Sequence, residues 1–134
     1  MKERLLELHK NSYSPYFHYP VSAIVVTDDG HEFAGVNVEN ANGTSICAER
    51  NAIHAAVCAG YKKGEFKEIN VMTADEKPAT PCFACRQVML EFFEKKDIIR
   101  CYGTSGEFVE YTIDELCPYP FSEEDLKWNV DMLV

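Results

Sequence analysis

The chain has 134 residues, 46% of them hydrophobic, and carries a net charge of −9. That length suits a single domain, residues 1–134, around one core. No apolar run approaches the ~20 residues of a membrane-spanning helix, and the start, MKERLLELHK, lacks the apolar stretch of a secretory signal. The expectation is therefore a cytoplasmic protein with no membrane partner. A surface this acidic repels phosphate backbones, which points away from nucleic acid and toward a small-molecule partner.

Residues 1–11, where charges alternate with Leu5, Leu6 and Leu8, read as a helix, and the Ser-, Pro- and Tyr-rich stretch 11–20 reads as a loop. VSAIVVT (21–27) is β-branched and apolar and predicts a strand. Asp28-Asp29-Gly30 is a hairpin turn signal, and HEFAGVNVEN (31–40) is the partner strand. Asn42-Gly43 marks another turn. Ala48, Ala52, Ala55, Ala56 and Ala59 predict a helix over 48–60, ended by Gly60. KEINVMTA (67–74) reads as a strand, 83–96 as a helix following Pro81, and DIIRCYG (97–103) and EFVEYTI (107–113) as two further strands. A short helix at Asp114–Leu116 and another from Ser122 close the pattern. Strands alternating with helices predict an α/β fold of three layers, α/β/α, around a mixed five-stranded sheet.

The six cysteines are informative through their spacing. Cys47-Ala48-Glu49-Arg50 and Pro81-Cys82-Phe83-Ala84-Cys85-Arg86 each sit where a helix begins. Cys82 and Cys85, three apart, fall on one face of a first helical turn. Helix starts favour thiolates, because their free N–H groups and the macrodipole stabilise negative charge. Three thiolates with an open fourth position is a catalytic Zn²⁺ pattern. Such a set carries one excess negative charge, which Arg50 and Arg86 are placed to offset from behind the ligands. Residues two apart in a helix do not share a face, so Cys47 must sit outside helical geometry for Glu49 to reach the same ion. A CxxC at a helix start also fits a redox pair, but that leaves Cys-Ala-Glu unexplained. A structural four-cysteine site needs Cys58, Cys101 or Cys117, none of which lies in a second CxxC. Those three read as buried apolar residues.

Five segments in order, SPYFHYPVSA (14–23), GVNVENA (35–41), ICAERNAI (46–53), PCFACRQV (81–88) and ELCPYPFSEEDL (115–126), make the chain resemble the small zinc-dependent cytidine deaminases. The resemblance implies the cytidine-deaminase-like fold and the hydrolytic deamination of cytidine and deoxycytidine to uridine and deoxyuridine with release of ammonia, a pyrimidine-salvage reaction. It implies Cys47, Cys82 and Cys85 as zinc ligands and Glu49 as the proton shuttle. It also implies Asn37 and Glu39 as ribose-binding residues, the backbone N–H of Ala48 as the partner of the base carbonyl, and Tyr19 as an aromatic wall. Phe121 corresponds to an aromatic reaching a neighbouring subunit's site in a homotetramer, with a homodimer as the alternative. On their own, Asn37 and Glu39 read as exposed polar residues of an edge strand. Against the family pattern, loop 42–45 is a residue shorter and lacks a tyrosine, and Phe83 and Ser22 replace glycines. These departures bear on the substrate more than on the chemistry. A deaminase of another cytosine-bearing compound such as blasticidin S, or a non-catalytic zinc or redox module, are the competing expectations.

Overall fold

The computed structural model describes residues 1–126. In chain order it has α1 (Lys2–His9), β1 (Ser22–Thr27), β2 (Glu32–Val36), α2 (Ala48–Cys58), β3 (Phe66–Met72), α3 (Phe83–Phe92), β4 (Ile98–Tyr102), β5 (Phe108–Thr112) and α4 (Ile113–Leu116), then a 3-10 turn at Glu123–Leu126. The strands form one mixed sheet in the order β2-β1-β3-β4-β5. β1 is antiparallel to both β2 and β3, β3 and β4 are parallel, and β5 returns antiparallel to β4.

This topology decides where the site lies. β2, β3 and β4 all point the same way, and parallel strands need crossovers. α2 carries the chain from the end of β2 back to the start of β3, and α3 does the same between β3 and β4. Both helices therefore begin at the same end of the strands, and their N-termini converge there.

Side-chain alternation divides the interior into two layers. Ala23, Val25, Ile69, Val71, Ile99 and Cys101 face the helices α2 and α3, against Ala52, Ile53 and Met89. Ile24, Met72 and Tyr102 face the other way, onto Leu5 of α1. Ser22 points to that second layer and donates to the Leu5 carbonyl at 2.8 Å. Gly35 lets α2 lie directly on β2: a Cβ there would sit 2.5 Å from both Ala48 O and Ala52 N.

The predicted elements are all present, with shorter bounds in several places. The strand expected over 31–40 pairs regularly only to Val36, after which Val38 makes isolated bridges to Tyr13 and Ile46. The helix expected to reach Lys96 stops at Phe92. Phe93 leaves helical geometry (ψ 158°) to pack on Phe66 at 5.2 Å, and Asp97 captures the Glu94 N–H at 2.8 Å in a turn. Gly60 ends α2 as expected, with φ +106°. The helix expected from Ser122 is the 3-10 turn that follows it, and anything past Leu126 lies outside the described residues. Of the three cysteines expected in the core, Cys101 is buried and Cys117 half-buried. Cys58, the last residue of α2, is exposed, because its face of the helix turns away from the sheet.

Candidate metal centre

Cys47 is the N-cap of α2, in extended geometry (φ −72°, ψ 154°). That conformation lets its sulfur and the Glu49 side chain, two residues on, share one corner. Cys82 is the N-cap of α3, likewise extended (φ −64°, ψ 161°), and Cys85 is the third residue of that helix. The sulfurs of Cys47 and Cys82 are 3.8 Å apart, those of Cys82 and Cys85 3.4 Å, and all three lie within 4.8 Å of one another. A tetrahedral ion with Zn–S bonds of about 2.3 Å sets its sulfurs about 3.8 Å apart. The donor set and its spacing therefore fit zinc. Among the described residues no fourth histidine, cysteine or carboxylate joins the cluster. This disposes of the four-cysteine structural site, and three sulfurs beside a carboxyl are not the dithiol of a redox pair.

Charge is arranged around the sulfurs. A hydrogen bond from Cys85, helped by Arg50, lowers the Cys47 thiol to about 5 despite its partial burial. Its bond to Cys47, together with burial and the nearby Glu49 and Cys47 charges, pushes the Cys85 thiol far up. Arg50 donates to Cys47 Sγ at 3.4 Å. The Arg86 guanidinium donates to none of the three clustered sulfurs. Its guanidinium is used on Pro81 O (2.8 Å), Thr80 Oγ1 (2.9 Å) and Leu116 O (3.1 Å), so it braces the backbone entering Cys82. Glu49 is 5% exposed. Burial pushes its carboxyl up to about 7, and the Cys47 charge adds to the rise.

The sulfur corner opens into a cavity of about 480 Å³, within the size range of small-molecule sites. Cys47, Ala48, Glu49 and Cys82 form one end, and Asn37 and Glu39 line it as well. Glu39 is only 4% exposed, which overturns the reading of an exposed edge-strand residue. Loop 12–21 folds over it: its carboxylate accepts from Ser14 Oγ, from Tyr16 N (2.9 Å) and from Phe17 N (3.2 Å). Asn37 Oδ1 accepts from Ser12 Oγ (2.5 Å) and Val21 N (2.9 Å), and its Nδ2 donates to Tyr19 O (2.8 Å). A carboxylate has about four lone-pair sites and an amide two N–H donors. One acceptor position on Glu39 and one donor on Asn37 therefore remain for a ligand.

Residues 1–101 match the family described as the cytidine and deoxycytidylate deaminase zinc-binding region. The chain belongs to that family. The cytidine deaminase of Sporosarcina psychrophila is 38% identical over 123 residues, covering 91% of this chain and 89% of that protein. The cytidine deaminase of Halalkalibacterium halodurans is 34% identical over 122 residues, 90% and 91% of the two chains. The crystal structure of cytidine deaminase from Burkholderia pseudomallei, 38% identical, superposes with a TM-score of 0.85 over 89% of this chain and 94% of that one. The three-layer fold with its mixed sheet is thus the deaminase-family fold, and the family's zinc-binding region coincides with the three sulfurs placed to hold the ion.

Tyr19 lines the cavity, and its hydroxyl donates to Asp75 Oδ2 at 3.0 Å. Phe121 lies outside this chain's own cavity, in a surface groove beside Phe83, and is 59% exposed. The sequence reading missed Phe17, Thr73, Thr80, Ser45 and Ile46 as cavity walls. These residues belong to loops and strand ends without ligand-like spacing. Phe17 stands among Tyr13, Tyr16 and Tyr19 in the same loop, so nothing in the sequence set it apart.

Proposed function

We propose that this member of the deaminase family catalyses the hydrolytic deamination of cytidine and deoxycytidine to uridine and deoxyuridine, releasing ammonia. The observation that carries the reading is a buried Glu49 carboxyl in the same corner as three sulfurs spaced for zinc, at the end of a cavity that also holds Asn37 and Glu39. When bound, zinc supplies Lewis-acid activation of water, lowering its pKa from 15.7 to about 7. Glu49 moves the protons. Burial favours the protonated form of its carboxyl, which suits a group that both takes and gives a proton. It serves ring N3 as attack occurs at C4, and then the departing amino nitrogen. Ala48 opens α2, where backbone N–H groups have no partner within the helix, and its N–H takes the base carbonyl. A ribose hydroxyl is at once donor and acceptor, which matches the one acceptor left on Glu39 and the one donor left on Asn37. The Tyr19 ring forms a wall for the pyrimidine.

The chain assembles, on this reading, as a homotetramer in which Phe121 of one subunit reaches another's site. The exposed groove holding Phe83 and Phe121 supports that assembly. Residues 1–134 act as one cytoplasmic domain in pyrimidine salvage, without nucleic-acid partners. The net charge of −9 and a cavity lining without lysine or arginine among the described residues favour a small neutral substrate over a strand. The test is ammonia release from cytidine, deoxycytidine, cytosine and blasticidin S, with and without a chelator. The two nucleosides react, and chelation abolishes the reaction. Blasticidin S turned over faster than cytidine, or activity indifferent to metal removal, would overturn the reading.

A further inference from the structure

Phe17 is 77% exposed, yet it lines the cavity. An exposed phenylalanine on a loop is unremarkable if the loop can fold it away; this one is fixed. Its own N–H donates to Glu39 Oε1 at 3.2 Å, and the Tyr16 N–H donates to the same oxygen at 2.9 Å. Behind it, His18 holds a left-handed conformation (φ +53°), which a residue with a Cβ adopts at a cost. Two further bonds close that turn, His18 N to Ser14 O at 2.9 Å and Tyr19 N to Ser14 Oγ at 2.9 Å. The loop is thus tied to a buried carboxylate and bent through a strained residue, with the net result that an aromatic ring stands in water at the wall of the cavity. Loop 42–45, on the other hand, gives the cavity Ser45 but no ring.

Resting on the nucleoside reading of the site, we propose that Phe17 is a substrate-binding and specificity residue of this chain, packing its ring against the sugar end of the bound nucleoside. Glu39 fixes the location, because the Phe17 backbone is hydrogen-bonded to the carboxylate that takes the sugar hydroxyl. The bound sugar covers apolar surface that is wet in the free protein, so the contact is made only with ligand present. It is uniform binding, equal in the ground and transition states, and acts on KM rather than kcat. The ring adds apolar bulk at the sugar end of the cavity, whose lining among the described residues holds no lysine or arginine to pair with a 5′-phosphate. Nucleosides are therefore favoured over their 5′-phosphates.

The test compares Phe17→Ala, Phe17→Tyr and Phe17→Arg with the wild-type zinc-loaded protein. Phe17→Ala raises the KM for cytidine roughly three- to tenfold, leaves kcat and zinc content unchanged, and raises the inhibition constant of uridine by the same factor. Phe17→Tyr, which keeps the ring, retains the wild-type KM. Phe17→Arg improves cytidine 5′-monophosphate relative to cytidine. A Phe17→Ala protein with the wild-type KM overturns the proposal, whether or not its assembly has changed, and so does a loss confined to kcat. Failure of the wild-type chain to deaminate cytidine at all would instead overturn the reading on which the proposal rests.

Discussion

At the scale of single residues, Glu49 is the most exposed to test. It occupies a position that only a cap-geometry Cys47 makes possible, since two residues within a helix would diverge by far more than the site allows. Its carboxyl lies among sulfurs without being needed to hold them, because three thiolates already supply the protein ligands of an open zinc site. Glu49→Gln keeps the volume and removes the ability to carry a proton between water, N3 and the amino nitrogen. The variant keeps a full zinc complement and loses at least roughly 100-fold in kcat. Metal analysis alongside steady-state rates checks both halves. A zinc-replete variant within about tenfold of wild type would remove Glu49 from proton transfer.

At the scale of elements, the site depends on how closely α2 approaches β2. Gly35 is the contact point, and Asn51 Nδ2 ties the same helix to Val36 O at 2.8 Å. Since both obstacles to a Cβ at Gly35 are backbone atoms of α2, Gly35→Ala must push the whole helix away, and the start of α2 carries Cys47 and Glu49. Overpacking of this kind costs about 1–3 kcal/mol. The denaturation midpoint falls, and a competing chelator strips zinc from the variant at lower concentration than from wild type. A stability loss with unchanged zinc affinity would mean that the metal corner is insulated from the packing of α2. The sequence disclosed this corner because its signals are local: cysteines at helix starts, a glutamate two residues beyond Cys47, and alanines patterned for a helix. It did not disclose that Glu39 is buried, because the cover comes from Ser14, Tyr16 and Phe17, more than twenty residues away in sequence. Nor did it show that Arg86 serves backbone carbonyls, since the Leu116 partner is thirty residues downstream. The overextension of α3 has a physical cause too. Phe92 and Phe93 continue an apolar helical pattern, while Phe93 is drawn off the helix by Phe66.

At the scale of the whole molecule, one predicted substrate-binding residue fails to reach the cavity of its own chain. Phe121 lies with Phe83 in a separate groove, its backbone carbonyl accepting from Gln87 Nε2 at 2.8 Å. If a neighbouring copy supplies that ring, the two kinds of residue act in different subunits, and damage to them can complement. A Glu49→Gln chain has a dead cavity but an intact Phe121 to lend. A Phe121→Ala chain has an intact cavity but nothing to lend. Each variant alone is impaired. Unfolding and refolding the two together lets the Phe121→Ala cavity receive a ring from its Glu49→Gln neighbour, and activity rises above the sum of the separate preparations. Non-additive recovery of this sort cannot arise when both residues serve the same cavity, because every chain then carries one defect in it. A mixture that stays at the sum, with size measurements confirming mixed assemblies, would place the function of Phe121 within its own subunit.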